Sequence, residues 1–341
     1  MKLASLGGTV IAGAVLFSPA SYSQSAQTES TAGGRGPPAT ALTESDWVPL
    51  STDASRAVLF ASMKAAKLAK LRSTQAGQQQ LQAFPFKGYF VFPDDVNYDD
   101  IANRPRNGYL FGIDVSHYTD PKLDFRVLKQ QGVDWVYLKA TQGTSFKDGN
   151  FGNFWETLGA LDASRAVYRG AYHFLVPGVD AKAQADRFLA YVNLHGGLRK
   201  ADLPPCVDLE MTSQSHDDWQ AYDPDAIVDA TLAWLKRIEE TTGRKPMVYT
   251  LRSWWDAIRK KHGATADAFT RLSDYKIWIA DASLNDRLNE KPAVILNRDW
   301  DLWQFSSTSR LTNGYPRDQS LDASVFKGSM DDFRRSFGVG Q

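Results

Sequence analysis

The chain has 341 residues, 43% of them hydrophobic and 12% aromatic, enough for one large core with an extension or for two domains. Lysine plus arginine and aspartate plus glutamate both total 39, so the formal net charge is zero, and neither nucleic acid nor an anionic membrane is expected as a partner. A single cysteine, Cys206, excludes an intramolecular disulfide. It reads as core packing, since small buried thiols are inert.

From the N-terminus, residues 1–23 read as a secretory signal peptide. Lys2 supplies the positive start, Leu6 to Phe17 the short apolar stretch, and Ser21-Tyr22-Ser23 a small-residue cleavage pattern. The apolar stretch is too short and too broken by glycine to span a bilayer. Export is therefore expected, to the periplasm or beyond, with no integral membrane span after cleavage. Residues 24–52 are rich in Ser, Thr, Gly, Ala and Pro and read as a flexible linker. Residues 53–107 form an N-terminal extension whose first half, "DASRAVLFASMKAAKLAKLRSTQAGQQQLQAF", favours helix, with Thr52 or Asp53 as the cap. Its apolar residues point to docking on the remainder of the chain, although a basic amphipathic helix also suits a membrane surface. The second half has too many prolines and turn residues for regular structure.

Residues 108–338 alternate apolar runs with amphipathic ones. Strands are predicted at "YLFGIDVS", "DWVYLKAT", "YRGAYHF", "PPCVDLE", "PMVYTL", "KIWIADA", "DLWQFS" and "LDASVF". Helices are predicted between most of them, at "NFGNFWETLGALDAS", "AKAQADRFLAYVNLHG" and "DPDAIVDATLAWLKRIEETTG". Eight strands with intervening helices suit an α/β fold, a TIM-like parallel β/α barrel. Between Ile277 and Phe326 loops replace helices, so the final units are expected to be irregular. An open doubly wound sheet is the alternative, disfavoured because no glycine-rich phosphate loop follows any strand.

The stretch "LPPCVDLEMT" ends a buried-looking strand with two carboxylates, Asp208 and Glu210. Such groups are costly in a dry core unless paired, exposed or kept for chemistry. Strand alternation sends Cys206, Asp208 and Glu210 the same way, inward in a barrel, and a rise of roughly 6.6 Å separates the two acids. Residues at the C-terminal ends of barrel strands meet substrate. Asp114, in "FGIDVSHY", ends the first strand, and Asp322, in "SLDASVF", lies in the last, which neighbours the first in a closed barrel. Four acids from three strands can thus converge on one mouth, and two carboxylates near one sugar bond can divide acid and nucleophilic roles. Capping and loop hydrogen bonding remain the alternative for Asp114 and Asp322 taken singly.

The ordered set "FGIDVSHY", "VDWVYLKATQGTSFKD", "YRGAYHF", "QADRFLAYV", "LPPCVDLE", "PMVYT", "IWIA", "LWQFSS" and "LDASVFKGSMDDF" resembles glycoside hydrolase family 25, the lysozymes of the Chalaropsis type. The resemblance covers about Tyr109 to Phe337 and leaves the N-terminal third uncovered. It implies a β/α barrel that hydrolyses the β-1,4 bond between N-acetylmuramic acid and N-acetylglucosamine in peptidoglycan glycan strands, its partner. By the same resemblance Glu210 is the general acid/base and Asp208 its partner, either a nucleophile or the group that polarises the substrate's 2-acetamido substituent. Asp114 and Asp322 are the supporting acids of the first and last strands. Tyr172 and Trp278 match cleft-lining aromatics, with core packing as the competing role. The chain departs from the family pattern at Gln142, Ser324 and Asp281-Ala282, where glutamate, asparagine and an aromatic are usual.

Lys139 shares a predicted strand face with Tyr137 and Thr141, and a lysine inside a barrel needs a carboxylate partner, so pairing with one of the acids is expected. It joins Tyr172 and Trp278 as a candidate substrate-side residue. His117 and His173 follow strands without metal-ligand spacing, and no metal or other cofactor is expected. Two competing functions remain: a non-catalytic carbohydrate-binding barrel, disfavoured by the intact Asp208 and Glu210, and a hydrolase of chitin-like N-acetylglucosamine polymers. Oligomeric state is not legible in the sequence.

Overall fold

Eight strands close into a barrel: β1 (Tyr109–Val115), β2 (Val133–Gln142), β3 (Tyr168–Phe174), β4 (Cys206–Leu209), β5 (Met247–Leu251), β6 (Lys276–Ala280), β7 (Leu302–Leu311) and β8 (Leu321–Lys327). The structure is a computed structural model that describes residues 48–49, 56–78, 89–100, 102–213, 216–264, 267–284, 290–296 and 298–340. The expected signal segment and nearly all of the linker lie outside the described residues. Each strand pairs with the next in sequence, and β8 pairs back onto β1. Seven strands run parallel. The eighth is antiparallel to both neighbours, a departure from the all-parallel barrel expected from the sequence, because a hairpin rather than a helical crossover joins β7 to β8.

Among the described residues four connections carry α-helices: α2 (Phe151–Gly159), α3 (Ala181–Leu194), α4 (Pro224–Thr242) and α5 (Arg252–Lys261). Their ends follow local chemistry. The Asp180 carboxylate accepts from Ala183 N at 2.7 Å, and the Asp223 carboxylate accepts from Ala226 N at 2.8 Å with Pro224 in the first turn of α4. Gly243, at φ 66°, ends α4 in the left-handed conformation that a side chain would strain. No helix appears among the described residues between β6 and β7.

The two ends of the barrel differ. At the N-terminal end of the parallel strands, helix α6 (Met330–Phe337) packs Phe333 against Trp135, Tyr168 and Phe326, with ring centroids 5.0, 5.6 and 5.2 Å apart. These rings fill that end with apolar surface and leave the opposite end for polar groups. A Ser329–Asp332 capping box starts this helix.

On the outer wall, where the β7–β8 hairpin brings no helix, the segment before β1 supplies the cover. Val91–Phe92 adds a short parallel strand to Arg310–Leu311 of β7. Phe90 stacks on Phe111 at 5.3 Å and meets Phe305 edge-on at 5.1 Å; Phe90 and Phe92 are fully buried. Helix α1 (Arg56–Arg72) packs on the same β7, with Phe60 buried. Its Lys67 ammonium sits 2.9 Å from Asp281 and donates to Ala282 O at 2.7 Å, at the end of β6.

Candidate active site

The acids gather at the C-terminal end of the parallel strands. Asp208 is the third residue of β4 and is 1% exposed; Glu210, just past that strand, is 6% exposed. Asp208 lies in register between Phe174 of β3 and Tyr249 of β5. Its carbonyl accepts from Leu175 N at 3.0 Å, which fixes the backbone where strand gives way to loop.

Asp114 is the sixth residue of β1 and is buried. Its Oδ2 accepts from Gln304 Nε2 at 2.6 Å, and Gln304 Oε1 in turn accepts from Tyr249 OH at 2.8 Å. This chain crosses the interior from β5, beside Asp208, through β7 to β1. The phenol gives its proton to the amide oxygen, and the amide N–H in turn donates to the Asp114 carboxyl group. Asp322 is the register partner of Asp114 across the antiparallel β8–β1 pair. The β8 reversal places the start of that strand at the mouth.

Beside the acids the interior is rich in aromatic rings. Trp278 is 2% exposed, donates from Nε1 to Ser324 Oγ at 3.0 Å, and holds the rings of Tyr137 and Tyr249 at 5.0 Å each. It packs in the barrel interior, in contact with side chains of β2, β5 and β8. Tyr137 is fully buried and donates to Pro204 O at 2.9 Å; burial pushes its phenol well above the ordinary value. Opposite it, Gly170 has no side chain because any Cβ there would overlap the Tyr137 ring. Tyr172 is 5% exposed, in register with Lys139 of β2 and Cys206 of β4. Buried Cys206 fills the interior, as expected.

Lys139 departs from its expected setting. A register shift between Lys139 and Thr141 turns Thr141 to the outer face, so the two do not share a side. Thr141 Oγ1 instead bonds His173 Nδ1 at 2.7 Å, and His173 Nε2 bonds Gln184 Oε1 of α3 at 3.1 Å. The Lys139 ammonium stays inward, donates to Gln142 Oε1 at 2.9 Å and lies 4.7 Å over the Phe174 ring, beside Asp208 in register.

Sequence reasoning missed three parts of this mouth. Gln304 was legible as an uncharged polar residue within the apolar run "LWQF". Tyr315, in the β7–β8 hairpin, accepts from Asp120 N at 3.2 Å. Burial raises its pKa, with the Asp120, Asp318 and Asp322 carboxylates adding to the effect against the Asp120 backbone bond, so its phenol stays protonated. The third is Asp148, fully buried, which accepts from both His117 N and His117 Nδ1. Among the described residues no cluster of His, Cys, Asp and Glu has the form of a metal site.

Residues 113–314 match the profile of the Glycosyl hydrolases family 25. An N,O-diacetylmuramidase of Chalaropsis sp is 30% identical over 230 residues, covering 64% of this chain and 90% of that protein. An N,O-diacetylmuramidase of Arthroderma benhamiae is 38% identical over 159 residues, 45% of this chain and 62% of that protein, so the chain spans less than two thirds of that relative. Among solved structures, the bacterial lysozyme from Streptomyces coelicolor has a TM-score of 0.56 at 25% identity, covering 68% of this chain and 99% of that one.

Proposed function

The chain belongs to the glycosyl hydrolases of family 25, and we propose that it is an N-acetylmuramidase in which Glu210 and Asp208 carry the chemistry. It hydrolyses the β-1,4 bond between N-acetylmuramic acid and N-acetylglucosamine in peptidoglycan. Protonated Glu210 gives its proton to the glycosidic oxygen as the bond to the anomeric carbon breaks. Asp208 stabilises the positive charge that develops on the sugar, either by bonding to the anomeric carbon or by polarising the 2-acetamido group as its oxygen closes an oxazoline. Glu210, now a carboxylate, takes a proton from the water that attacks and is restored to its acid form. Asp114 and Asp322 flank the pair as fixed charges, and Tyr172, Trp278 and Lys139 support the sugar side of the mouth. Export through residues 1–23 brings the enzyme to the wall.

The observation that supports this reading is the burial of Asp208 and Glu210 at the end of β4, on the side of the barrel where Asp114 is held by Gln304. Glu210→Gln keeps the shape and removes the transferable proton. Solubilisation of purified peptidoglycan, followed as loss of turbidity, should fall at least about a thousandfold. A variant that clears the suspension as fast as the parent refutes the assignment. N-acetylmuramic acid at the reducing ends of the products separates this activity from cleavage of chitin-like polymers. A thiazoline analogue of the acetamido sugar should inhibit the oxazoline route; a fluorinated sugar should label Asp208 in the other.

A further inference from the structure

Three tyrosines are well exposed among the described residues, and they are not alike. Tyr98, 42% exposed, hydrogen-bonds Asn103 within its own turn, and Tyr89, 37% exposed, lies under the Arg310 guanidinium on the outer wall. Tyr118, 45% exposed, stands in the loop that leaves β1 just after Asp114, at the mouth.

That loop is held firmly. The Asp148 carboxylate accepts from His117 N at 2.7 Å and from Nδ1 at 2.9 Å. Asn150 Nδ2 donates to Ser116 O at 3.2 Å and to Thr119 O at 2.9 Å. Ser116 N donates to Thr119 Oγ1, Thr119 N donates to Ser116 O, and Asp120 N donates to Tyr315 OH. The Tyr118 ring then rests on the His117 ring with centroids 4.0 Å apart. The half-exposed Tyr118 ring is thus presented on a loop fixed through buried Asp148, and a binding platform gains by having its ordering cost met in advance. An aromatic face presented beside a carboxylate-lined mouth suits the C–H face of a sugar ring.

We propose that Tyr118, seated on the Asp148-anchored His117, is a stacking subsite for a hexose ring of the N-acetylated glycan strand, on the β1 side of the mouth that holds the Asp208–Glu210 pair. The inference rests on the proposed muramidase site and adds a binding residue to it. Titration calorimetry tests it with a purified tetrasaccharide of alternating N-acetylglucosamine and N-acetylmuramic acid, in chains that all carry Glu210→Gln to prevent turnover. Adding Tyr118→Ala should weaken binding about tenfold, while Tyr118→Phe and Tyr118→Trp should stay within about twofold of the tyrosine chain. Urea midpoints matching that of the tyrosine chain establish that the fold is kept. Unchanged affinity in the alanine variant overturns the subsite, as does an equal loss in alanine and phenylalanine variants, which assigns binding to the hydroxyl rather than the ring. A tyrosine chain that binds no tetrasaccharide at all overturns the muramidase reading and the subsite together.

Discussion

Acidification should destabilise this protein through one buried imidazole, His173. Its ring is fully buried between β3 and the helices, parallel to the Trp234 ring at 5.8 Å and against Phe188 at 6.1 Å. Burial lowers its pKa from 6.5 to about 3; the Lys139 ammonium pushes the same way and the bond to Gln184 opposes both. The unfolded chain takes up a proton as pH falls below 6.5, and the folded chain does not until about 3. The stabilisation is therefore present above pH 6.5 and lost progressively as pH falls toward 3. At about pH 5 the separation from the unfolded value is roughly 1.5 pH units, which at about 1.36 kcal/mol per unit amounts to about 2 kcal/mol. His173→Gln supplies the reference, because glutamine offers an amide to Gln184 and Thr141 but gains no proton. Urea unfolding followed by fluorescence of the ten tryptophans, at about pH 7 and pH 5, reads the difference. The parent should lose about 2 kcal/mol more than the variant across that interval. Equal losses in the two proteins would refute the claim that His173 is held neutral.

Gln304→Leu removes the amide that joins Tyr249 to Asp114, so each of these two buried polar groups loses one hydrogen bond. Stability should fall by about 2–4 kcal/mol in urea, and peptidoglycan clearing should slow at least about tenfold; an unchanged clearing rate would show that Asp114 needs no fixing by the amide. Lys67→Met removes the ammonium that meets Asp281 at 2.9 Å, where the Lys67 and Asp281 side chains are 28% and 8% exposed. The loss should be about 1–2 kcal/mol, seen as faster amide hydrogen exchange across residues 56–72 with barrel protection unchanged. Exchange unaltered in that helix would mean that Phe60 and its neighbours hold it without the ion pair.

The strands were legible because short apolar runs bounded by turn residues and alternating with amphipathic segments have few competing readings; "YRGAYHF" coincides with β3 from end to end. Asp208 and Glu210 were legible for the opposite reason, as charges in a run that otherwise belongs to the interior. The Lys139–Thr141 shift was not legible, because an inserted residue leaves composition unchanged while reversing every face beyond it. Nor was the Gln304–Asp114 bond, which joins residues 190 positions apart and depends on which strands become neighbours. The same holds for His117 and Asp148, 31 positions apart. Helix α6 left a local trace in its Ser329–Asp332 box, but eight residues of amphipathic pattern do not say that their phenylalanines close the end of a barrel.

The direction of β8 ties the acids to the N-terminal extension. Had β8 run parallel, Asp322 near its start would lie at the end that Phe333 closes, roughly 20 Å from the mouth at about 3.3 Å per residue over the strand. The reversal puts it opposite Asp114, but it requires a hairpin where a parallel crossover would bring a helix, so the outer faces of β1 and β7 must be covered by something else. Phe90 and Phe92 provide that cover from outside the segment matched by the family profile, which begins at residue 113. A chain beginning at residue 108 should therefore be less stable than one beginning at residue 88. Two phenylalanines buried to 0% exposure set the difference at about 3–6 kcal/mol, using about 1.5–3 kcal/mol for each. Thermal unfolding of the two chains measures it, and equal midpoints would show that the barrel closes its wall without the extension.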